Sequence, residues 1–393
     1  MSDPKRIAVV YGGVSGEHEV SIRSAQSVMA ALRQAGYEVV PVYIGKDGIW
    51  RLGGVPMVGP RAGLLGLPEE SGTDPTDKSD RGASVTNGKG SHSPGMGRVD
   101  VVFPVLHGTL GEDGTLQGLL EVAEVPYVGS GVLGSALGMD KIVMKMLFRQ
   151  AGLPVVDSVA TGRRQIARDV TAVADEVEAK LGYPCFVKPA NLGSSVGISK
   201  AHGRKELLQG LAEAARYDRR VIVERGIEAR ELEVSVIGND EPEASVVGEV
   251  IPGREFYDYV AKYGDSGSQT IIPAPVSEEL AGRVRCLALE AFRVLDLAGM
   301  ARVDFLLDRL SGQLYVNEVN TIPGFTDISM FAKLWEASGL DFPCLVSRLV
   351  ELGWERFEDR QRSLEAVRDG GRLPDGGSAV AGLTPGERRD CPT

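Results

Sequence analysis

Residues 302–324 read RVDFLLDRLSGQLYVNEVNTIPG. Two apolar runs flank a short polar turn centred on Ser311 and Gly312, the pattern of a β-hairpin. Side chains alternate along a strand, so Arg302 and Asp304 share one face of the first strand, and Glu318 and Asn320 share one face of the second. A turn near Ser311 sets Asp304 opposite Glu318 and Arg302 opposite Asn320. Two carboxylates facing each other across a ladder repel. A half-solvated strand also gives polar alternation. Here, however, acids stand at matching heights on both strands, and the run ends in NTIPG, where proline restrains the turn and glycine can offer its N–H to a ligand. A hard divalent cation relieves the repulsion. Two carboxylates and an amide oxygen, from Asp304, Glu318 and Asn320, suit Mg2+, with nucleotide phosphates completing its shell. Arg302 beside them suits an anion that develops during a reaction.

A phosphate-bound cation requires a phosphate cradle elsewhere in the chain. No GxxxxGK[ST] occurs, which excludes a P-loop. The alternative is FVKPANLGSSVGISK (186–200). Gly193, Ser194, Ser195 and Gly197 form a small turn of N–H donors that can nest around oxygen. A plain hairpin turn has the same composition, and Lys188 just before it on a strand favours phosphate. The strand RVIVE ends in Glu224, with Glu231 shortly after. Either carboxylate can accept from an adenine amine or ribose hydroxyls, and either also reads as a solvated surface charge.

Two further Gly-rich loops follow strands, where α/β sheets place ligands: GGVSGEHEVS (12–21) and HGTLGEDGTLQG (107–118). They offer Ser15, Glu17, His107, Glu112 and Asp113, with His18 and His107 as candidate bases. The segment GSGVLG (129–134) matches a dinucleotide fingerprint, but no acid closes a following strand at the ribose distance. No nucleophile elbow is present.

The 393 residues carry a net charge of −11, which argues against a general nucleic-acid binder. Any anionic ligand must be held by local cations. Cys185, Cys286, Cys344 and Cys391 lack CxxC spacing, so neither a zinc site nor a disulfide framework is expected. MSDPKRIAVVY enters a strand without an apolar leader, and no apolar run reaches bilayer length, so a cytoplasmic protein is expected. Ile7 to Tyr11, a helix ended by Gly36, and YEVVPVYI (37–44) form a βαβ unit, the start of a doubly wound, Rossmann-like α/β domain. Val20, Ser24, Val28 and Ala31 mark that helix's inner face. Residues 66–97, rich in Gly, Ser and Asp, read as a disordered insertion. Helices are expected near 139–151, 277–297 (opened by Ser277) and 329–355. The expected divisions are 1–137, 138–230, 231–358 and a flexible tail over 359–393.

Taken together and in order, GGVSGEHEVS, HGTLGEDGTLQG, VKPANLGSSVG, EFYDYVAKY and RVDF…NEVNTIPG resemble the D-alanine–D-alanine ligases of the ATP-grasp superfamily. The resemblance spans roughly 5–355 without the insertion. It implies an α/β ATP-grasp ligase of three domains, the first binding a D-alanine and the other two gripping ATP. It implies Mg2+, usually two ions with Mn2+ as a substitute, on Asp304, Glu318 and Asn320. It places Lys141, Lys188, Ser194, Ser195 and Lys262 on ATP phosphates and Glu224 and Glu231 on adenine and ribose. Glu17 would bind the first D-alanine's ammonium, in a chain with Ser194 and Tyr263 beneath a closing loop. His107 and Ser329 would contact substrate. Arg302 and the Gly324 N–H would hold the oxyanion. A homodimer acting on ATP and D-alanine, without nucleic acid or membrane, is implied. A D-alanine–D-lactate ligase, an NAD-dependent oxidoreductase built on GSGVLG, and a non-catalytic nucleotide sensor are the rival readings; Tyr263 favours the dipeptide over the ester.

Overall fold

The computed structural model describes residues 5–52, 55–56, 99–193, 196–251, 269–326 and 328–368. The expected insertion at 66–97, the last part of the expected tail, and Ser194, Ser195, Lys262 and Tyr263 lie outside the described residues.

The first unit runs β1 (Arg6–Gly12), α1 (His18–Gln34), β2 (Glu38–Ile44), β3 (Trp50–Leu52), β4 (Val55–Pro56) and β5 (Val101–Val105). Strand β1 pairs in parallel with both β2 and β5, while β3 and β4 extend the sheet antiparallel. The parallel centre matches the expected doubly wound unit. A parallel strand is covered on both faces, which is why β5 reads VVFPV and is buried throughout. Helix α1 buries Val20, Ser24, Val28 and Ala31, the stripe read from their spacing.

Helices α2 (Thr115–Val122), α3 (Val132–Met139) and α4 (Lys141–Ala151) lead into β6 (Ser158–Gly162), α5 (Arg163–Lys180), β7 (Cys185–Pro189), β8 (Ser199–Ala201), α6 (Arg204–Tyr217) and β9 (Arg220–Arg225). The strands form an antiparallel sheet in the order β6-β9-β7-β8, with α5 and α6 sharing its apolar core. Cys185, in that core, and Cys344 are free thiols.

The third sheet comprises β10 (Ala229–Gly238), β11 (Glu243–Ala244), β12 (Gly248–Ile251), β13 (Gln269–Ile271), β14 (Gly299–Asp308) and β15 (Leu314–Asn320), in the order β13-β12-β10-β14-β15 with β11 beside β10. Helix α7 (Glu278–Val294) opens at Ser277, whose side chain accepts from the Leu280 N–H as an N-cap should. Leu232, Val234 and Val236 of β10 and Val303 and Phe305 of β14 pack with Val284 and Phe292 of α7 in one core. Burying each such side chain contributes roughly 1.5–3 kcal/mol. Alternation then forces Glu231, Glu233, Arg302 and Asp304 onto the opposite face.

The expected pairing of Arg302 with Asn320 and of Asp304 with Glu318 is present. The alternation is not continuous, however. Beyond Asp304 the register shifts, and Phe305 pairs with Val316, leaving Asn317 as the extra residue of a β-bulge. Buried Leu314, Val316 and Val319 record the odd step. Without the bulge, the core valine and Glu318 would exchange faces.

Helices α8 (Met330–Ala337) and α9 (Phe342–Arg368) occupy the region read as one helical stretch. Leu345, Leu349 and Val350 of α9 share a core with Ile7, Val9 and Phe103 of the first sheet. Helix α9 thus returns to the first unit, and the tail boundary expected at 359 falls inside it. Met144 and Phe148 of α4 join the core of the third sheet, so α4 bridges the units on either side of it.

Candidate active site

A narrow cleft lies where the first unit meets the charged face of the third sheet. Glu17, His107, Lys141, Arg302, Glu318, Asn320 and Gly324 line it, together with Glu112 and Gly193. Sequence spacing alone does not bring these together; the sheets do, by presenting loops from separate units to one space.

The first wall comes from the two Gly-rich loops. Ser15 Oγ donates to the His107 carbonyl oxygen at 2.7 Å and accepts from the Glu17 N–H, tying the loops to each other. Glu17 is buried. A Cβ at Gly108 would stand 3.1 Å from Glu17 Oε2, and one at Gly193 would stand 3.2 Å from it. Glycine at both positions lets the phosphate-type loop approach this carboxylate. His107 Nδ1 donates to the Ile322 carbonyl oxygen at 3.0 Å, and Nε2 accepts from Ser24 Oγ at 3.4 Å. Burial pushes its pKa down, so a neutral ring holds the NTIPG turn in place. His18 donates to the Gly13 carbonyl oxygen and accepts from Tyr43, away from the cleft.

Glu112 completes this wall. Its carboxyl group accepts from the Gly108 N–H at 2.6 Å and the Ile322 N–H at 3.3 Å, joining the HGTLGEDG loop to the NTIPG turn. Burial, followed by the nearby charge of Glu17, pushes its pKa up to about 8.

The opposite wall is the hairpin. The Arg302 guanidinium makes two 2.7 Å hydrogen bonds to the Asp304 carboxylate and lies 3.1 Å from Glu233 Oε2. Asn320 Nδ2 donates to Asp304 Oδ2 at 3.1 Å. Glu318 is met by Lys141 at 3.8 Å. The opposed acids therefore have counter-charges supplied by the protein itself. Glu233, which sits beside Asp304 on the neighbouring strand, was not singled out in sequence; the alternation of ELEVSV was the available signal.

Lys141 opens α4 behind Asp140, whose side chain accepts from the Val143 N–H and pairs with Arg220. Lys141 Nζ donates to the Leu192 carbonyl oxygen at 3.0 Å, at the edge of the GSSVG loop. Beyond it, Lys188 Nζ donates to Glu224 Oε2 at 2.7 Å. Burial opposes the charge of Lys188, but Glu224 and Glu318 outweigh it and raise its pKa. Burial likewise opposes the Glu224 carboxylate, yet Lys145 and Lys188 hold it down to about 2. Glu231 stands half-buried on the same sheet face as Glu233. Ser329 heads α8, with its Oγ 2.8 Å from Thr326 Oγ1. Among the described residues, no three or more His, Cys, Asp or Glu side chains form a ready-made metal cluster. The hairpin offers two carboxylates and an amide, a hard-oxygen set that suits Mg2+ when phosphate oxygens supply the rest.

An antiparallel sheet with a charged inner face, a smaller antiparallel sheet carrying a lysine and a Gly-rich loop, and a doubly wound unit in front define an ATP-grasp ligase. Residues 6–130 match the family description "D-ala D-ala ligase N-terminus" and residues 147–351 match "D-ala D-ala ligase C-terminus". The chain belongs to the D-alanine–D-alanine ligase family. It is 51% identical over 359 residues to the D-alanine–D-alanine ligase of Heliobacterium modesticaldum, covering 91% of this chain and 96% of that protein. Among solved structures, it resembles the D-alanine–D-alanine ligase from Coxiella burnetii, with TM-score 0.75 and 33% identity over 93% of this chain and 99% of the other. It also resembles the VanG D-Ala:D-Ser ligase from Enterococcus faecalis, with TM-score 0.71 and 36% identity over 89% and 99%.

Proposed function

We propose that this chain joins two D-alanines into D-alanyl-D-alanine, through a D-alanyl phosphate made from ATP, releasing ADP and phosphate for peptidoglycan precursor synthesis. The observation that carries this reading is the convergence, on one cleft, of Glu17 from the first unit with Arg302, Glu318 and Asn320 from the hairpin.

A carboxylate is a poor acyl donor because its leaving group is strongly basic. Phosphorylation supplies a better one. Glu17 matches an ammonium and would hold the first D-alanine by it, leaving the carboxylate directed at the nucleotide. Lys188 and Lys141 would hold the phosphates, with Glu231 and Glu224 toward ribose and adenine. Bound to Asp304, Glu318 and Asn320, Mg2+ would neutralise charge on the transferring phosphoryl group. Ser329, at the start of α8, would anchor the second substrate's carboxylate beside N–H groups of the helix end. Attack by the second amine creates an oxyanion, which Arg302 and the Gly324 N–H would stabilise. His107 and Glu112 keep the 320–324 turn against the first unit, which fixes Gly324 relative to Glu17. Ser194, Ser195, Lys262 and Tyr263 would complete the nucleotide and substrate contacts and exclude water from the acyl phosphate. The same reading gives a first-substrate domain over 1–137, a grasp formed by 138–230 and 231–358, two Mg2+ ions and a homodimer in the cytoplasm. Among the described residues, no helix is long and apolar enough to cross a membrane.

Phosphate release from Mg-ATP, measured with D-alanine and with L-alanine, tests the reading. Release that requires D-alanine is expected. Equal release with both, or none with either, would overturn the substrate assignment. D-lactate and D-serine as second substrates test for an ester or a mixed dipeptide; the expected product is overwhelmingly D-alanyl-D-alanine.

A further inference from the structure

Lys145 is a lysine where a core residue belongs. It lies on the buried face of α4 with Met144 and Phe148, and only 1% of its side chain is exposed. A buried ammonium needs partners on every side. Its Nζ donates to the Asn317 carbonyl oxygen at 2.9 Å. Asn317 is the extra residue of the β15 bulge, whose place is outside the regular pairing of β14 with β15. The same Nζ lies 3.1 Å from Glu224 Oε1, while the other oxygen of that carboxylate accepts from Lys188. A single side chain therefore touches both halves of the grip: the carboxylate–lysine pair of β9 and β7, and the bulge immediately before Glu318.

We propose that Lys145 is a positioning residue that couples the nucleotide-holding pair Lys188–Glu224 to the acidic hairpin. The inference rests on the functional reading above. By occupying Oε1, Lys145 leaves Lys188 on Oε2 alone, which fixes the direction of the Lys188 ammonium. By holding the Asn317 carbonyl, it fixes the bulge that keeps Glu318 on the face of Asp304. An apolar side chain of equal length would fill the space and do neither. Burial lowers the pKa of Lys145; the charge of Glu224 opposes the fall and that of Lys188 adds to it.

Lys145→Met and Lys145→Gln, the latter retaining a donor without the charge, test the proposal. Calorimetry would measure ADP binding to each purified protein without metal and with Mg2+, beside the melting temperature and the KM for D-alanine. ADP affinity without metal is expected to fall at least about tenfold, the loss typical of a hydrogen bond to a charged group. The gain in affinity from Mg2+ is expected to shrink as well, with the KM for D-alanine within about twofold. A lower melting temperature with both ADP affinities unchanged, in whichever variant folds, would overturn the proposal as merely structural. A loss confined to metal-free ADP would overturn the coupling to the hairpin. Because ADP binding is read without turnover, failure here is distinct from failure of the D-alanine assignment, which the wild-type phosphate release decides.

Discussion

Glu224 and Glu318 are both carboxylates faced by lysines, yet the fold treats them oppositely. Glu224 is 3% exposed and held between Lys145 and Lys188 at 3.1 and 2.7 Å. Glu318 is 24% exposed, lines the cleft, and meets Lys141 at 3.8 Å. The first is enclosed by protein cations. The second faces a space where an incoming cation and phosphates can complete its neutralisation. Desolvation explains the contrast. A buried carboxylate must be paired before any ligand arrives, whereas a cleft carboxylate keeps water until a ligand replaces it.

Breaking the enclosed group should therefore cost stability, and breaking the open one should cost chemistry. Glu224→Ala leaves two buried ammonium groups without their carboxylate. Urea unfolding should show a loss of about 3–5 kcal/mol, against under about 1 kcal/mol for Glu318→Gln. Equal losses would erase the distinction. Arg302→Ala should lower kcat by about 10² to 10³, as removal of an oxyanion donor does. Steady-state kinetics should find the KM for ATP within about twofold of wild type; a large rise would move Arg302 to nucleotide binding.

Glu112 sharpens the comparison as a buried acid without a lysine clasp. Its folded-state pKa is raised to about 8, above the ordinary carboxylate value of 4.5. The folded protein therefore keeps a proton that the unfolded chain has released, and the stability this confers is full below the ordinary value and lost as pH rises toward 8. Melting temperatures should decline across that window in wild type and decline less in Glu112→Gln. A pH-independent difference between the two would refute the shift. The smallest effect expected is that of Ser277→Ala, far from the cleft. Loss of this N-cap should cost about 1 kcal/mol by urea unfolding, with kcat unchanged.

The open region was the more legible in sequence, and the reason is geometric. Period-two alternation places Arg302, Asp304, Glu318 and Asn320 on one face from the chain alone, and the observed pairing agrees. The bulge at Asn317 escaped because two small errors cancel: the ladder nearest the turn is one place short in register, and the extra residue restores it. The spacing Val316 to Val319 was its available signal. The enclosed region was less legible because its partners lie far apart in sequence. Lys145 reaches Asn317 and Glu224 across the boundary between two sheets, and only its core-facing place on α4 hinted at this. Glu112 reaches Ile322 in the same way. Likewise, the return of α9 to the first unit is a long-range packing event, so local composition set the tail boundary too early.

The central claim is that the open carboxylate of the hairpin, Glu318, receives a nucleotide-bound cation beside the Arg302-held Asp304. The most direct measurement is ADP affinity by calorimetry, with and without Mg2+, in wild type and in Glu318→Gln. Mg2+ should strengthen ADP binding to wild type, and Glu318→Gln should lose most of that gain while binding metal-free ADP as wild type does. The same Mg2+ gain in both proteins would contradict the account.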